Sequence, residues 1–259
     1  MSSLFDLTGK VAVITGSSRG IGRAIAERMA EHGAKVVVSS RKAETCEEVA
    51  AAIRAKGGEA MVKLCHVGRR DDLTALVEAT LAKWGRIDIL VCNAAASPYY
   101  GPLAKISDEA MDKVLEINVK SVVWLSNLVL PQMAERRDGV VIIISSVGGF
   151  IGSDVLGFYN MSKAAEQSLA RSLACEWGAH DIRINCIAPG LIRTDFSRAV
   201  WQNEELLTKR LGTSALKRIG EPDDVAGTAV MLAARAGAFI TGQTILIDGG
   251  RLIGALAPA

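Results

Sequence analysis

The sequence predicts an α/β fold: a single doubly wound domain over residues 1–259, with a seven-stranded parallel sheet and helices on both faces. Three observations predict it. Seven short runs are apolar throughout rather than alternating, as strands covered on two sides must be. Stretches with apolar residues three and four apart separate those runs, as amphipathic helices require. No linker, repeat or low-complexity tract breaks the alternation along 259 residues. Hydrophobic residues make up 49% of the chain but aromatics only 5%, so the core must be built from Ala, Val, Ile and Leu.

The elements follow in order. Val11–Ile14 is a buried strand, opened by Lys10 and closed by Thr15-Gly16. Ile21, Ile25 and Met29 form the stripe of the first helix, which Gly33 ends by tolerating a positive φ. Lys35–Val38 is the second strand, and a helix runs from about Ala43 to Lys56, stopped by Gly57-Gly58. Ala60–Cys65 is the third strand, and Asp71–Trp84 a helix whose acidic first turn suits the helix dipole. Ile87–Cys92 is the fourth strand. Ser107 or Asp108 opens a long helix expected to reach about Leu130, where Pro131 should stop it. Val140–Ile144 is a strand, Phe158–Trp177 a helix, and Ile182–Ile187 a strand closed by Pro189-Gly190. Pro222 opens a helix through about Ala234, and Thr244–Ile247 is the last strand.

Composition excludes several classes. With 30 basic and 28 acidic residues and no basic block, no nucleic-acid partner is expected. The most apolar run, Val140–Ile144, has the length of a strand, so no membrane partner is expected either. The start MSSLFDLTGK is unlike a secretory signal and the end Ala257-Pro258-Ala259 is unlike a peroxisomal one, which predicts a cytoplasmic location. Cys46, Cys65, Cys92, Cys175 and Cys186 are odd in number, widely spaced and free of C-x-x-C, as buried thiols in a reducing compartment would be. His32, His66 and His180 do not cluster with them, so no metal is expected.

The candidate chemistry begins at Thr15-Gly16-Ser17-Ser18-Arg19-Gly20-Ile21-Gly22, where the first strand meets the first helix. Glycines there let backbone approach a pyrophosphate, which the helix N-terminus then binds. A binder of the unphosphorylated dinucleotide carries an acid about twenty residues further on, for the ribose 2′-OH. Here strand two ends Val38-Ser39-Ser40-Arg41-Lys42, and no acid lies between Glu31 and Glu44. Arg19 and Arg41 suit a 2′-phosphate, which favours NADP(H) and leaves NAD(H) as the lesser alternative.

Tyr159 and Lys163 stand four residues apart in one predicted helix and share a face. A tyrosine titrates near pH 10, and a neighbouring ammonium lowers that value by favouring phenolate. Tyr159 could then exchange a proton with an alcohol or carbonyl oxygen. Ser146 follows a strand in Ile144-Ser145-Ser146-Val147-Gly148, and the carboxyl ends of such strands are where open α/β sheets hold ligands.

These residues resemble the classical short-chain dehydrogenase/reductase family. The matching motifs are TGSSRGIG at Thr15–Gly22, Cys92-Asn93-Ala94, Asn118 in EINVKS, Ser146, Tyr159-x-x-x-Lys163, PGLIRT at Pro189–Thr194 and TGQTILIDGG at Thr241–Gly250. They cover the chain in order from Leu7 to Gly250 and look most like the family's NADP-dependent carbonyl reductases of the dehydrogenase/reductase member 4 type. The resemblance implies a Rossmann-like fold and a hydride exchanged between NADP(H) and a small ketone, aldehyde or alcohol. It implies that Tyr159 is the acid/base, that Lys163 lowers its pKa and holds the nicotinamide ribose, and that Ser146 binds the substrate oxygen. Asn118 would hold a water that links Lys163 to solvent. Gly16, Ser18, Arg19, Gly20, Ile21 and Gly22 would line the pyrophosphate, with Ser39, Ser40 and Arg41 at the adenosine ribose. His66 and Val67 would meet the adenine, Asn93, Ala94 and Ala95 the adenosine side, and Pro189, Gly190, Ile192 and Thr194 the nicotinamide. Two positions depart from the family pattern: Ala95 replaces a glycine, and His66 stands where an acid often contacts adenine.

Asp195–Lys217 carries Phe196, Val200, Trp201, Leu206 and Leu207 among polar residues, and would form a lid at about 195–217 or an ordinary packed helix. Phe196 and Trp201, with Tyr99, Gly148 and Phe150, would line an apolar substrate pocket. A 3-oxoacyl-(acyl carrier protein) reductase is the alternative, with Arg136 and Arg137 as a docking patch, although Ala179-His180-Asp181 offers no firm cation. A non-catalytic cofactor-binding sensor or scaffold is more distant, since Ser146, Tyr159 and Lys163 are all present. The resemblance also implies a homotetramer or homodimer, with Arg251–Ala259 packed on a neighbour or on its own pocket.

Overall fold

The computed structural model of the chain describes residues 4–253. Seven strands form one parallel sheet in the order β3-β2-β1-β4-β5-β6-β7. They are β1 (Val11–Thr15), β2 (Lys35–Ser39), β3 (Ala60–Val62), β4 (Ile89–Cys92), β5 (Gly139–Ile144), β6 (Ile182–Pro189) and β7 (Thr244–Ile247). Helices α1 (Gly20–Glu31), α2 (Ala43–Ala55) and α3 (Arg70–Trp84) follow the first three strands. Helices α4 (Asp108–Val114) and α5 (Ser121–Arg136) precede β5, and α6 (Gly157–Trp177) follows it. Two short helices, α7 (Arg198–Trp201) and α8 (Glu204–Gly212), and then α9 (Pro222–Ala233) complete the chain before β7.

The apolar runs produce two cores because side chains along a strand alternate between faces. Ala12 and Ile14 of β1 and Val36 and Val38 of β2 join the core under α1, α2 and α9. Val13 and Val37, between them in sequence, join the core under α3, α5 and α6. Register holds the layers in line: Val13 lies beside Val37 on β2 and beside Leu90 on β4. β1 is thus the point where strand order reverses, with β2 on one side and β4 on the other. The helices leaving its two flanks diverge, and a crevice opens at the carboxyl ends of the strands.

Several element bounds differ from the sequence reading by a residue or more, and three of the differences have a plain physical reason. β3 ends at Val62 rather than Cys65. Lys63 and Cys65 still donate N–H groups to Val38 and Ser40, but this edge strand has no partner on its other side to keep the ladder regular. β4 begins at Ile89, after Asp88 has made the first main-chain bonds to its neighbours. Pro131 does not end its helix, which continues to Arg136. The Asn127 carbonyl that Pro131 leaves without an N–H lies on the exposed side, while Val129, Leu130 and Met133 continue the buried stripe.

The same continuation makes one long helix of α4, a π-helical turn at Leu115–Lys120 and α5. Spanning 29 residues from Asp108 to Arg136, it is long and apolar enough to cross a membrane, which the sequence reading did not anticipate. Its apolar stripe is spent on the sheet, where Val114, Ile117, Val122, Leu125 and Met133 are buried.

Asp88 ties the opposite end of the sheet. Only 1% exposed, its carboxylate accepts the Val11 N–H at 2.8 Å and the Arg86 guanidinium, with Arg136 at 3.7 Å. Its main chain bonds to Val11 and to Val140, so it joins β1, β4 and β5. Asp88→Ala leaves the Val11 N–H and the guanidinium charge without their buried acceptor. It should lower the unfolding free energy by about 3 kcal/mol in a denaturant titration.

Candidate active site

The glycine loop is held from two sides. Asn93, just past β4, donates its side-chain amide to the Thr15 carbonyl at 2.9 Å and the Gly16 carbonyl at 3.2 Å. The Thr15 hydroxyl accepts the N–H groups of Asn93 and Ala94. From beneath, the Ser17 hydroxyl bonds the Ile14 carbonyl at 2.7 Å and accepts the Ser39 N–H at 2.8 Å. Gly16 takes φ +66°, and a Cβ on Gly22 would stand 2.4 Å from the Asn93 amide and 2.6 Å from the Gly16 carbonyl. The cradle therefore needs glycine for its shape, and the first N–H groups of α1 face out of it. That fits a bound pyrophosphate.

A cleft of about 460 Å³ runs from this loop along the carboxyl ends of the strands. It brings together Gly16, Ser18, Arg19, Gly20, Ile21, Gly22, Ser40, Arg41, His66, Val67, Asn93, Ala94 and Ala95 at one end. Ser146, Tyr159, Lys163, Pro189, Gly190, Ile192, Thr194 and Phe196 line the other. A smaller cavity of about 270 Å³ lies behind α8, beside Arg210 and Arg251, and shares only Ile192 with the cleft.

At the adenosine end Arg41 is exposed and makes no ion pair among the described residues. Arg19 instead reaches across the cleft to Asp195 at 3.1 Å, joining the glycine loop to the segment ahead of α7. His66 turns its Nδ1 to the Gly68 N–H at 3.2 Å, and Asp72 accepts its main-chain N–H, so its loop is braced locally.

At the other end, α6 and the turn after β5 place the reactive groups. Ser146 caps that turn, its hydroxyl oxygen accepting the Gly148 N–H at 3.0 Å. The Lys163 ammonium lies 5.6 Å from the centre of the Tyr159 ring. It donates to the Ile144 carbonyl at 3.0 Å and to Glu166 at 2.8 and 3.0 Å. Burial pushes the Tyr159 phenol up, and the Lys163 charge and the Ser146 hydroxyl pull it back in part. Burial works against the Lys163 ammonium, but Glu166 and Tyr159 outweigh it and hold the group charged. Burial also raises the Glu166 carboxyl, to about 7, against the lowering effect of Lys163.

Six predicted residues stand elsewhere than the cleft wall. Ser39 is 1% exposed and braces the glycine loop through Ser17, because alternation along β2 turns it into the sheet. Asn118 is fully buried in the π-helical turn, its amide joined to Ala96 on both sides and to the Ser162 hydroxyl. Its side chain has no donor left for a water. Gly148 acts through its N–H on Ser146. Tyr99 donates its hydroxyl to the Pro102 carbonyl of its own loop, and Phe150 is about half exposed outside the cleft. Trp201 props the Thr194 carbonyl through its indole N–H at 2.8 Å, with Arg193 over its ring.

Among the residues of the site that the sequence reading missed are two acids. Asp195 gave no local signal, since its partner is 176 residues away. Glu166 did leave one: an acid three positions after Lys163 on the helix face that carries Ala170, Leu173 and Ala174 into the core. Cys46, Cys65, Cys92 and Cys186 are buried as expected, but Cys175 is exposed. Burial lifts the Cys65 and Cys92 thiols to about 12, which removes them as nucleophiles.

The chain is similar to several known proteins. A family model described as enoyl-(acyl carrier protein) reductase matches residues 16–251. Dehydrogenase/reductase SDR family member 4 of rabbit (Oryctolagus cuniculus) is 41% identical over 94% of each chain. The human protein of the same name is also 41% identical, over 94% of this chain and 88% of its own. Among solved structures, a 7α-hydroxysteroid dehydrogenase complexed with NADH and 7-oxo glycochenodeoxycholic acid superposes with a TM-score of 0.92. It is 34% identical over 98% of both chains. A short-chain type dehydrogenase/reductase from Mycobacterium marinum gives 0.91, at 32% identity over 97% of this chain and 98% of that one.

Gly22→Ala tests the cradle. The added methyl must displace the Asn93 amide or the Gly16 carbonyl. Dinucleotide binding, followed by fluorescence titration, should weaken at least about tenfold, or about 1.4 kcal/mol, while the circular dichroism of the folded chain is retained.

Proposed function

The chain belongs to the classical short-chain dehydrogenase/reductase family of NAD(P)-dependent oxidoreductases, and on that premise we propose that it is an NADP(H)-preferring carbonyl reductase with Tyr159 as its acid/base. The observation that carries the reading is the convergence of Ser146, Tyr159 and Lys163 in the same cleft as the glycine cradle. Lys163, Pro189, Gly190, Ile192 and Thr194 line the part of the cleft that would hold the nicotinamide, which would supply the hydride taken up by the substrate carbonyl carbon. Tyr159 gives its phenolic proton to the carbonyl oxygen. Lys163 stabilises the phenolate left behind. The Ser146 oxygen already accepts the Gly148 N–H, so its own proton is free to point at the substrate oxygen and steady the charge that grows there. Asn118 fixes the Ala96 loop and Ser162 beneath these groups. Oxidation of the alcohol runs through the same groups in reverse.

Cofactor preference rests on Arg41, just past β2 and without an ion pair among the described residues, with Ser40 beside it and Arg19 able to exchange its exposed pair with Asp195 for a phosphate. The substrate is a ketone, aldehyde or alcohol whose apolar part lies against Phe196, whose ring centre is 6.0 Å from that of Tyr159. Helices α7 and α8 bury no residue of their own, as suits a lid over residues 195–217 more than a core helix. A homotetramer or homodimer would cover Leu128 on α5 and Phe239 and Leu246 near β7, all exposed. Residues 254–259 of the apolar tail lie outside the described residues.

The acyl-carrier alternative shares only the carrier-linked class with the matching enoyl-(acyl carrier protein) reductase model and is weakened at its docking patch. Arg136 is spent on Gln132, Ile87 and Asp88, and Arg137 pairs with Asp181 at 2.7 Å. An NADPH-consumption screen over ketones, aldehydes, quinones and short 3-oxoacyl thioesters tests both, and no turnover on any would favour a sensor. Tyr159→Phe should lower kcat about 100- to 10,000-fold in the active assay and leave NADPH affinity intact. NADPH should bind roughly a hundredfold more tightly than NADH by fluorescence titration, and Arg41→Ala should remove at least about tenfold of that difference.

A further inference from the structure

We propose that Glu166 is a positioning residue that sets the pH range of the reaction: by opposing the charge of Lys163, it keeps Tyr159 in its proton-donating form to higher pH. The inference rests on the acid/base reading of Tyr159. Tyr159, Lys163 and Glu166 descend one face of α6, and the two charged side chains are each 2% exposed. The ammonium donates to both carboxylate oxygens and to the Ile144 carbonyl. A lone lysine would present a full positive charge to the phenol. This pair presents no net charge, and in a dry interior that difference acts over the short distance to the ring.

No second cation faces Glu166 among the described residues. The groups around it are Lys163 and, beyond it, Tyr159 on α6; Cys92 at the end of β4; Cys186 on β6, whose sulfur is 3.5 Å from the Glu166 carbonyl; and the Ser145 hydroxyl after β5. Arg171, further along α6, bears on Cys186. The thiols are neutral, so the balance is set by the lysine and the two acids. The sign then follows. While Glu166 is ionised, it offsets the attraction between Lys163 and a phenolate, and Tyr159 keeps its proton. When Glu166 takes up a proton, Lys163 is unopposed and Tyr159 ionises more readily. Burial holds the Glu166 carboxyl near 7, so it is ionised throughout the alkaline range where Tyr159 titrates.

The first measurement needs no substrate. The near-ultraviolet phenolate signal of Tyr159 is isolated by subtracting Tyr159→Phe from wild type, and Glu166→Gln/Tyr159→Phe from Glu166→Gln. The Tyr159 midpoint should fall in Glu166→Gln by about one unit or more. The alkaline limb of kcat/KM for NADPH-dependent reduction of an aldehyde turned over by the wild type should move down with it. An unchanged midpoint in folded Glu166→Gln overturns the proposal. So does a raised one, which would mean that Glu166 serves to keep Lys163 charged. If Glu166→Gln does not fold by circular dichroism, Glu166→Asp withdraws the charge by one methylene and must still lower the midpoint. Wild-type turnover in Tyr159→Phe would overturn the acid/base reading itself. Loss of turnover there with an unmoved Glu166→Gln midpoint overturns only the role of Glu166.

Discussion

A strand that is apolar on both faces cannot meet water on either, and the rest of this molecule follows from that constraint. Each of the central strands must be covered above and below, which places α1, α2 and α9 on one face and α3, α5 and α6 on the other. Helical crossovers leave the strands parallel, so all their carboxyl ends arrive at one edge. The glycine loop after β1, Asn93 after β4, Ser146 after β5 and Pro189-Gly190 at the end of β6 meet there because the sheet brings them. The chemistry is assembled by a packing requirement that has no chemical content of its own.

The same burial determines the electrostatics. Lys163 and Glu166 are buried together, and their attraction offsets the cost of taking both charges out of water. Tyr159, between this pair and the cleft, feels the sum of the two charges rather than the lysine alone. At the far end of the cleft the balance is opposite. Arg19 and Arg41 are solvated, and Arg19 is held by Asp195 through an exposed pair of small strength. A weak pair can be exchanged for a phosphate at little cost, while a buried one cannot be exchanged at all. The adenosine end is therefore adaptable and the reacting end rigid.

Some of the site could be read in one dimension because its signals are local. The glycine cradle depends on a strand, a turn and a helix start that are contiguous, and Tyr159 and Lys163 meet because four residues make one helical turn. The wall of the substrate pocket was harder. Tyr99 and Trp201 have the composition of pocket residues, yet each uses its polar atom to brace its own segment. Asn118 illustrates the same limit: its position in the motif was legible, but the three bonds that consume its amide come from Ala96 and Ser162.

By itself the sequence determined the order and class of the elements, the parallel sheet, the cradle and the pairing of Tyr159 with Lys163. All of these rest on periodicity and short spacing. Only the tertiary structure decided that the helix passes Pro131, that Arg19 meets Asp195, and that Glu166 closes on Lys163 in a buried site. The first depends on which side of a helix faces solvent, the second on two segments 176 residues apart, and the third on how deeply α6 is covered. Burial is a property of the assembled layers, and it converts an ordinary acid on a helix into a group that sets the charge beside Tyr159.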